Sequence, residues 1–363
     1  MRVALVTPRY GSLGGVETNV TAVATRLAAH GYQVEVLAQA HGPGRSCIEI
    51  IDGVTVRSFH VPVPSQNYPF APGLWAFLAR NKAQYDVIHA HHYHSLPSLG
   101  AALAGCRPLV FTPHYHGTGH SPWRRMLHVP YRRLGRKIFT HASRVICNSE
   151  AEAALVHKHF RGVASHITVI YPGVDMAALR SAEPFPQDHT IVLSAGRLEA
   201  YKNVNLVVDA LAHLDRNFSL RVIGDGPARP ALEERANQLG LGDRVEFLGR
   251  VDADVLRRWF RTASVYVSMS EREAYGLSVA EALAAESKAV LTDIPAHREV
   301  TDGAGPSAVS LLPVNSTSVQ LAHAVRALAS LPRAPVDAPN IVSWETAAAQ
   351  TLRVYQAVTG RLE

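Results

Sequence analysis

Short apolar runs rich in β-branched residues alternate along this chain with longer stretches whose apolar positions recur every three or four residues. The first kind reads as strand and the second as helix, so the pattern predicts an α/β architecture with parallel sheets. In the first half "RVALVTP", "QVEVLA", "VTVRSF", "DVIHAH", "PLVFTP", "RVICNS" and "ITVIYPG" read as strands, and in the second half "TIVLSAGR", "SLRVIGDG", "RVEFLGR", "SVYVSMS" and "AVLTD" do the same. The strand pattern starts afresh near residue 190, after a Pro-rich polar stretch, "YPGVDMAALRSAEPFPQDH", that we take as a hinge. A second such stretch, "LPRAPVDAPN", precedes a last helix, "SWETAAAQTLRVYQAV", with Ser343 as its expected N-cap and Glu345 in its first turn. The expected organisation is two domains, residues 1–178 and 179–342, followed by a C-terminal helix over 343–363.

Composition narrows the class. At 363 residues, 47% hydrophobic and 18% charged, the chain is globular and can bury two cores of ordinary size. No apolar run approaches the roughly 18 residues that would span a bilayer, and the start, "MRVALVTPRY", reads as a first strand rather than a signal peptide. Cys47, Cys106 and Cys147 are odd in number and lack metal-type spacing, which favours a reduced, cytoplasmic compartment. Charge is uneven: residues 1–175 carry 17 Lys/Arg against 8 Asp/Glu, a net +9, and the remainder 19 against 22, a net −3, which together give the +6 of the whole. The basic excess suits an anionic surface or acceptor near the first domain.

Candidate chemistry begins after the first strand, where Gly14 and Gly15 precede a helical pattern at Val16, Val20, Val23 and Leu27. Glycines admit a ligand close to the backbone, and a helix N-terminus offers free amides to phosphate. A dinucleotide-binding oxidoreductase is disfavoured, because the glycines do not form Gly-x-Gly-x-x-Gly and "QVEVLAQA" ends without an acid for a ribose. A second question is posed by Glu273 and Glu281 in "EREAYGLSVAEALAAESKAV". Were the segment between them wholly helical, eight steps at about 1.5 Å would separate them by about 12 Å. Glycosidase carboxyl pairs need roughly 5 to 9.5 Å, so this spacing disfavours a hydrolase. The turn at Tyr275 and Gly276 instead suggests a ligand gripped on either side of a helix N-terminus.

"LGGVETNV", "GRLEAYKN", "VIGDGP", "VEFLGRV" and "EAYGLSVAEALAA" occur in this order at suitable separations. Together they resemble the retaining, nucleotide-sugar-dependent glycosyltransferases of family 4, and the resemblance runs over essentially the whole chain. It implies the GT-B fold: two Rossmann-like domains facing each other across a cleft, the first for the acceptor and the second for the nucleotide sugar, with the C-terminal helix crossing back to the first. It implies that Glu273 holds donor-sugar hydroxyls, Glu281 the ribose, and Arg197 and Lys202 the departing phosphate, where fixed cations would stand in for a metal. Gly196, Gly224, Arg250, Val251, Tyr275, Gly276, Leu277 and Ser278 complete the implied nucleotide site. The expected donor is a UDP-hexose or GDP-mannose with no further cofactor, and the acceptor a glycan, lipid-linked or small-molecule hydroxyl. Sugar-nucleotide epimerases, phosphorylases and a non-catalytic nucleotide-sugar sensor are the alternatives on this fold.

Fifteen of the nineteen histidines fall in the first half, many in "HAHHYH" and "PHYHGTGH". Such clusters invite zinc, but both follow strand ends that look like family strands. The resemblance assigns His114, with His116 as the adjacent alternative, to the donor sugar, and no metal site is expected. From Trp123 to Lys137, "WRRMLHVPYRRLGRK" carries six basic residues and no acid. Trp123, Arg124, Arg125, Arg132 and Arg133 thus mark a candidate acceptor or anionic-membrane face, with a solvated helix as the plain alternative. No nucleic-acid reader motif accompanies it. Departures from the family pattern cluster after Glu281, where Glu286 and Lys288 replace the usual Gly and Pro, so that the helix there lacks its usual glycine C-cap. Ala274 and Tyr275 also stand where Gly and Phe are common, as does Pro172 in place of Asn.

Overall fold

A computed structural model describes the chain except residues 12–13, 41–45, 64–68, 118–121, 161, 163–165, 334 and 362–363; for 122–131 it describes the helix and not the side chains. The chain divides into two compact units, Met1–Gly173 with Trp344–Glu363, and Val174–Ser343. The first contains strands β1 (Arg2–Val6), β2 (Gln33–Gln39), β3 (Cys47–Ile51), β4 (Val54–Phe59), β5 (Val87–His91), β6 (Leu109–Thr112), β7 (Arg144–Cys147) and β8 (Ile167–Val169). Its helices are α1 (Gly15–Ala29), α2 (Pro72–Asn81), α3 (Leu96–Leu103), α4 (Pro122–His141) and α5 (Glu150–His159). The chain leaves this unit at β9 (Gly173–Val174).

In the second unit the strands are β10 (Thr190–Ala195), β11 (Phe218–Ile223), β12 (Val245–Gly249), β13 (Val265–Ser268), β14 (Lys288–Thr292) and β15 (Val309–Leu312). Its helices are α6 (Met176–Ser181), α7 (Val204–Leu211), α8 (Arg229–Gln238), α9 (Ala253–Thr262), α10 (Leu277–Ala284), α11 (Pro295–Val300) and α12 (Ser318–Ala329). After β16 (Val342–Ser343) the last helix, α13 (Trp344–Thr359), belongs again to the first unit.

The second sheet runs β12-β11-β10-β13-β14-β15, wholly parallel. This is the doubly wound order in which the chain reverses direction between its first and fourth strands, and ligands bind outside the carboxyl ends of the strands at that reversal. The first sheet, β3-β4-β2-β1-β5-β6-β7-β8, has the same core order with its reversal between β1 and β5. Its one antiparallel pairing is β3 on β4. The sequence pattern missed β3 and β15. Both are edge strands: every residue of β3 is exposed, Ile48 and Ile50 included, and β15 is buried at no position, although "CIEII" and "VSLL" are apolar runs.

Each unit buries its own core. Central strands β1 and β5 are buried at almost every position, as expected for parallel strands covered on both faces. In α1 the helical stripe buries Val20, Val23 and Leu27 against the sheet. α13 packs on α1, where Arg26 pairs with Glu345 at 2.8 Å. Tyr355 of α13 is fully buried, and its hydroxyl meets His89 Nδ1 at 2.7 Å. Returning the last helix to the first unit therefore completes that unit's core.

Where the sequence lacks a glycine cap after α10, the structure shows what replaces it. Glu286 itself adopts the left-handed conformation, φ 61°, which costs a residue with a Cβ about 1–2 kcal/mol. Its Oε2 is held by Arg261 Nη1 at 2.6 Å, and the same nitrogen donates to the Ala285 carbonyl at 3.2 Å. The guanidinium thus covers the end of the helix while fixing the strained residue. We expect Glu286→Ala, which loses the pair and keeps the strain, to lower stability by about 1–2 kcal/mol in urea unfolding, and Glu286→Gly to lower it by less, since glycine relaxes there. Equal losses would show that the backbone conformation is not strained.

Candidate active site

At the carboxyl end of the second sheet, the loops after β10 and β11 lie backbone to backbone. Gly224, at φ 121°, is where glycine is required: a Cβ there would sit 1.9 Å from the Gly196 carbonyl oxygen. The Gly196 amide donates to the Ile223 carbonyl at 2.9 Å, and the Gly224 amide to the Gly249 carbonyl at 2.7 Å. "GRLEAYKN", "VIGDGP" and the end of "VEFLGRV" are therefore one stacked platform. Arg250 and Val251 follow β12 at this same end of the sheet and hydrogen-bond to none of the acidic or cationic groups described next.

Lys202 rises from the loop after β10 and meets Glu273 from the loop after β13, Nζ to Oε1 at 2.5 Å, with both side chains largely buried. The Glu271 amide donates to the Tyr201 carbonyl at 3.0 Å and ties the same two loops together. Burial by itself would push the Glu273 carboxyl up, but the Lys202 ammonium, with a smaller contribution from His297, holds it below the ordinary range. Lys202 is correspondingly held above its ordinary value, the attraction of Glu273 outweighing burial. Arg197, from the same loop as Lys202, is exposed and turns to Glu199 at 3.1 Å. The structure thus brings Lys202 and Glu273 together and leaves Arg197 outside their contact.

Gly276, in the left-handed conformation at φ 103°, ends that loop, and α10 starts at Leu277. The first amides of a helix have no intrahelical acceptor and carry the positive end of its dipole. Ser278, in the first turn, shares a 2.8 Å hydrogen bond with the Tyr266 hydroxyl, which also donates to the Ala195 carbonyl at 3.1 Å, so the helix start is braced on β10 and β13. Tyr275 is buried, its hydroxyl donating to the Asn340 carbonyl at 2.7 Å, so its side chain braces the loop and only its backbone remains for a ligand. Glu281 lies one turn into α10, part-buried, and among the described residues its carboxylate accepts no side-chain hydrogen bond. Burial pushes it up to about 7, against the pull of Arg257.

In the first unit, α1 begins at Gly15 with Gly14 before it, and residues 12–13 of this loop lie outside the described residues. His114 follows β6 with φ 47°, and its Nε2 lies 3.5 Å from Nδ1 of buried His91. His91 in turn stacks on His89 at 4.1 Å between ring centroids. Burial, then the neighbouring imidazoles, push all three well down, His89 to about 3, so they are neutral at pH 7. His116 Nδ1 lies 3.5 Å from the His114 carbonyl oxygen. Among the described residues no three His, Cys, Asp or Glu side chains converge to hold a metal ion. Of the basic stretch, Arg132 is half-buried and Arg133 exposed on α4, while the side chains of Trp123, Arg124 and Arg125 lie outside the described residues. No described helix is long and apolar enough to cross a membrane.

Known proteins converge on this geometry. Residues 13–178 match the model of Glycosyltransferase Family 4, and residues 175–336 that of Glycosyl transferases group 1. A D-inositol 3-phosphate glycosyltransferase of Streptomyces scabiei is 31% identical over 318 residues, 77% of this chain and 71% of the relative. The chain belongs to the group 1 glycosyltransferases of family 4. A relative of the same name from Streptomyces avermitilis is 29% identical to this glycosyltransferase across 96% of the chain and 84% of the relative. Among solved structures, sucrose-phosphate synthase from Thermosynechococcus elongatus superposes with a TM-score of 0.79 at 20% identity over the whole of both chains. Anabaena HepE in complex with UDP-glucose does so at 0.72 and 21% identity over 99% and 96%. The two Rossmann-like units of this glycosyltransferase are those of the GT-B fold.

Several groups at the site escaped the sequence pattern. Tyr266 reads as a strand residue, and only pairing shows that its hydroxyl reaches the α10 start. His297 in "PAHREV" is fully buried on α11; its Nδ1 meets the Thr292 carbonyl at 2.7 Å, and its Cδ2 lies where a Cβ on Gly276 would touch it at 3.6 Å. A lone histidine on a helix gives no such signal. The raised Glu281 also has a consequence for stability. As pH rises from about 4.5 through 7, the unfolded chain releases a proton that the folded one keeps, so stability falls across that window and the loss is complete above it. We expect Glu281→Gln to raise Tm at pH 8 by several degrees, at about 2–4 °C per kcal/mol for a unit of this size, and to match the native protein near pH 4.5. An unchanged Tm at pH 8 would refute the buried, unpaired carboxylate.

Proposed function

We propose that this glycosyltransferase moves a hexose from a nucleoside-diphosphate sugar to an acceptor hydroxyl with retention of configuration and without a metal ion. The observation that carries the reading is the Lys202–Glu273 pair beside the N-terminus of α10, at the reversal point of the second sheet, with Glu281 unpartnered one turn further on. The diphosphate takes the free amides of α10. Glu281 accepts the ribose hydroxyls, which supply the hydrogen bonds its carboxylate lacks. Lys202 and Glu273 hold each other until the donor arrives; Lys202 then turns to the distal phosphate and Glu273 to the sugar hydroxyls. Arg197, exposed and held only by a neighbouring carboxylate, joins Lys202 on the phosphate, and His114 contacts the sugar.

As the bond from the anomeric carbon to phosphate oxygen breaks, charge accumulates on that phosphate, and fixed cations there stabilise the transition state more than the ground state. The acceptor oxygen bonds to the carbon on the same face and its proton passes to the departing phosphate. The Anabaena complex with UDP-glucose supports a uridine nucleotide as the donor to test first, and the similarity to D-inositol 3-phosphate glycosyltransferases supports D-inositol 3-phosphate as the first acceptor. The basic excess of residues 1–175 is in keeping with a phosphorylated acceptor.

Thermal shift against UDP, GDP and ADP, followed by transfer assays with and without chelator, tests this reading. A saturating nucleotide at 100 times its Kd adds about 2.7 kcal/mol of stability, and NMR of the product reports the anomeric configuration. Lys202→Ala, Glu273→Ala and Arg197→Ala should each lower kcat about a hundredfold or more. Stabilisation by no nucleotide, or near-normal kcat in a folded variant, would refute the corresponding assignment.

A further inference from the structure

His114 stands between His91 and a buried hydrogen-bond chain that runs back to Glu152. Glu152 and Asn148 are both buried, at 0% and 2% exposure. Ser149 caps α5 by accepting from the Glu152 amide at 2.9 Å, and this turns the Glu152 side chain back beneath the strand ends. There its Oε1 accepts the Tyr115 amide, and its Oε2 accepts both the Asn148 amide at 2.6 Å and the Asn148 side-chain Nδ2 at 3.0 Å. The same Nδ2 lies 3.2 Å from His114 Nδ1.

Only one assignment of hydrogens fits these contacts. An amide turned the other way would set its oxygen against the Glu152 carboxylate, so the nitrogen faces both partners, one N–H on each. His114 Nδ1 is then an acceptor, and neutral His114 carries its proton on Nε2. Backbone and ring are fixed by the same carboxylate. Glu152 holds the amide of Tyr115, whose ring is buried with its hydroxyl on the Gly117 carbonyl at 2.9 Å, and this anchors the chain directly after His114. The left-handed φ of 47° at His114, which few residues with a Cβ adopt, is kept by that anchor.

We propose that Glu152, acting through Asn148, is a positioning residue that fixes His114 as the Nε2–H tautomer and aims that N–H as a donor. The inference rests on the reading above, in which His114 contacts the donor sugar. That N–H faces His91 Nδ1 at 3.5 Å, a contact long enough to yield; a sugar hydroxyl or the ring oxygen, both of which accept, takes it over on binding, whereas the other tautomer would present a lone pair. Glu152 and Asn148 touch no substrate and act only through the imidazole.

The test is histidine 15N NMR of the full chain, with His114 resonances assigned against His114→Gln, combined with steady-state kinetics. In the native protein Nδ1 should be bare and Nε2 protonated. Asn148→Ala leaves Glu152 on its two backbone amides, so it should fold; in it His114 should populate both tautomers, and kcat should fall about tenfold or more with KM for donor little changed. Glu152→Gln should shift the same resonances if it folds. A protonated Nδ1 in the native protein, or a tautomer unmoved in folded Asn148→Ala, overturns the proposal whatever the activity. Tautomer shifts as expected with near-normal turnover in His114→Gln would leave the hydrogen-bond chain standing and overturn the contact of His114 with the sugar.

Discussion

Two adjacent parallel strands whose crossovers depart in opposite directions leave a gap above their carboxyl ends, and the second unit is arranged around that gap. From β10 the chain proceeds through α7, which packs on α8 and α12; from β13 it proceeds through α10, which packs on α9 and α6. The loops after β10 and β13 therefore face each other with no helix between them. Lys202 and Glu273 are the side chains that meet there, and their attraction sets the state of both against a burial that would neutralise each. A buried pair of this kind contributes little net stability once desolvation is counted. It keeps two charges inside a folded unit.

The neighbouring Glu281 shows the opposite solution. With no side-chain hydrogen bond among the described residues, and burial outweighing the pull of Arg257, its carboxylate is pushed towards neutrality, a local penalty that ligand hydroxyls would relieve. Around both acids the scaffold is rigid for identifiable reasons. Gly224 lets two loops touch backbone to backbone, Gly276 turns the chain into α10, and Tyr266 and Tyr275 spend their hydroxyls on carbonyls and on Ser278. After β5 and β6 the first unit sets neutral imidazoles side by side. His89 is locked between Tyr355 and Thr112, and His114 between Asn148 and His91, so these strand-end histidines are tied into a hydrogen-bonded core.

Much of this was legible in the chain. Central strands are buried on both faces, and their apolar runs stand out; the edge strands β3 and β15 also carry apolar runs, but of only five and four residues, too short to settle strand by periodicity, and they went unread. The glycine-bearing motifs marked the platform and the start of α10 because only local backbone geometry was at stake. Glu273, Glu281, Arg197 and Lys202 were marked by the same motifs. Their partners were not: Lys202 meets Glu273 across 71 residues, and Arg197 turns to Glu199 two residues away.

What the sequence determined by itself was periodicity, punctuation and motif order, hence the class of fold, its two sheets and the glycine-bearing loops at their strand ends. Tertiary structure alone decided which charges pair, which groups a histidine ring meets, how Glu286 can end a helix in place of glycine and where the last helix packs. The reason is physical. Period and turn chemistry act within a few residues, whereas pairing, desolvation and hydrogen-bond direction depend on groups that the fold brings together from distant positions, as Glu152 reaches the Tyr115 amide across 37 residues and Tyr355 reaches His89 across 266.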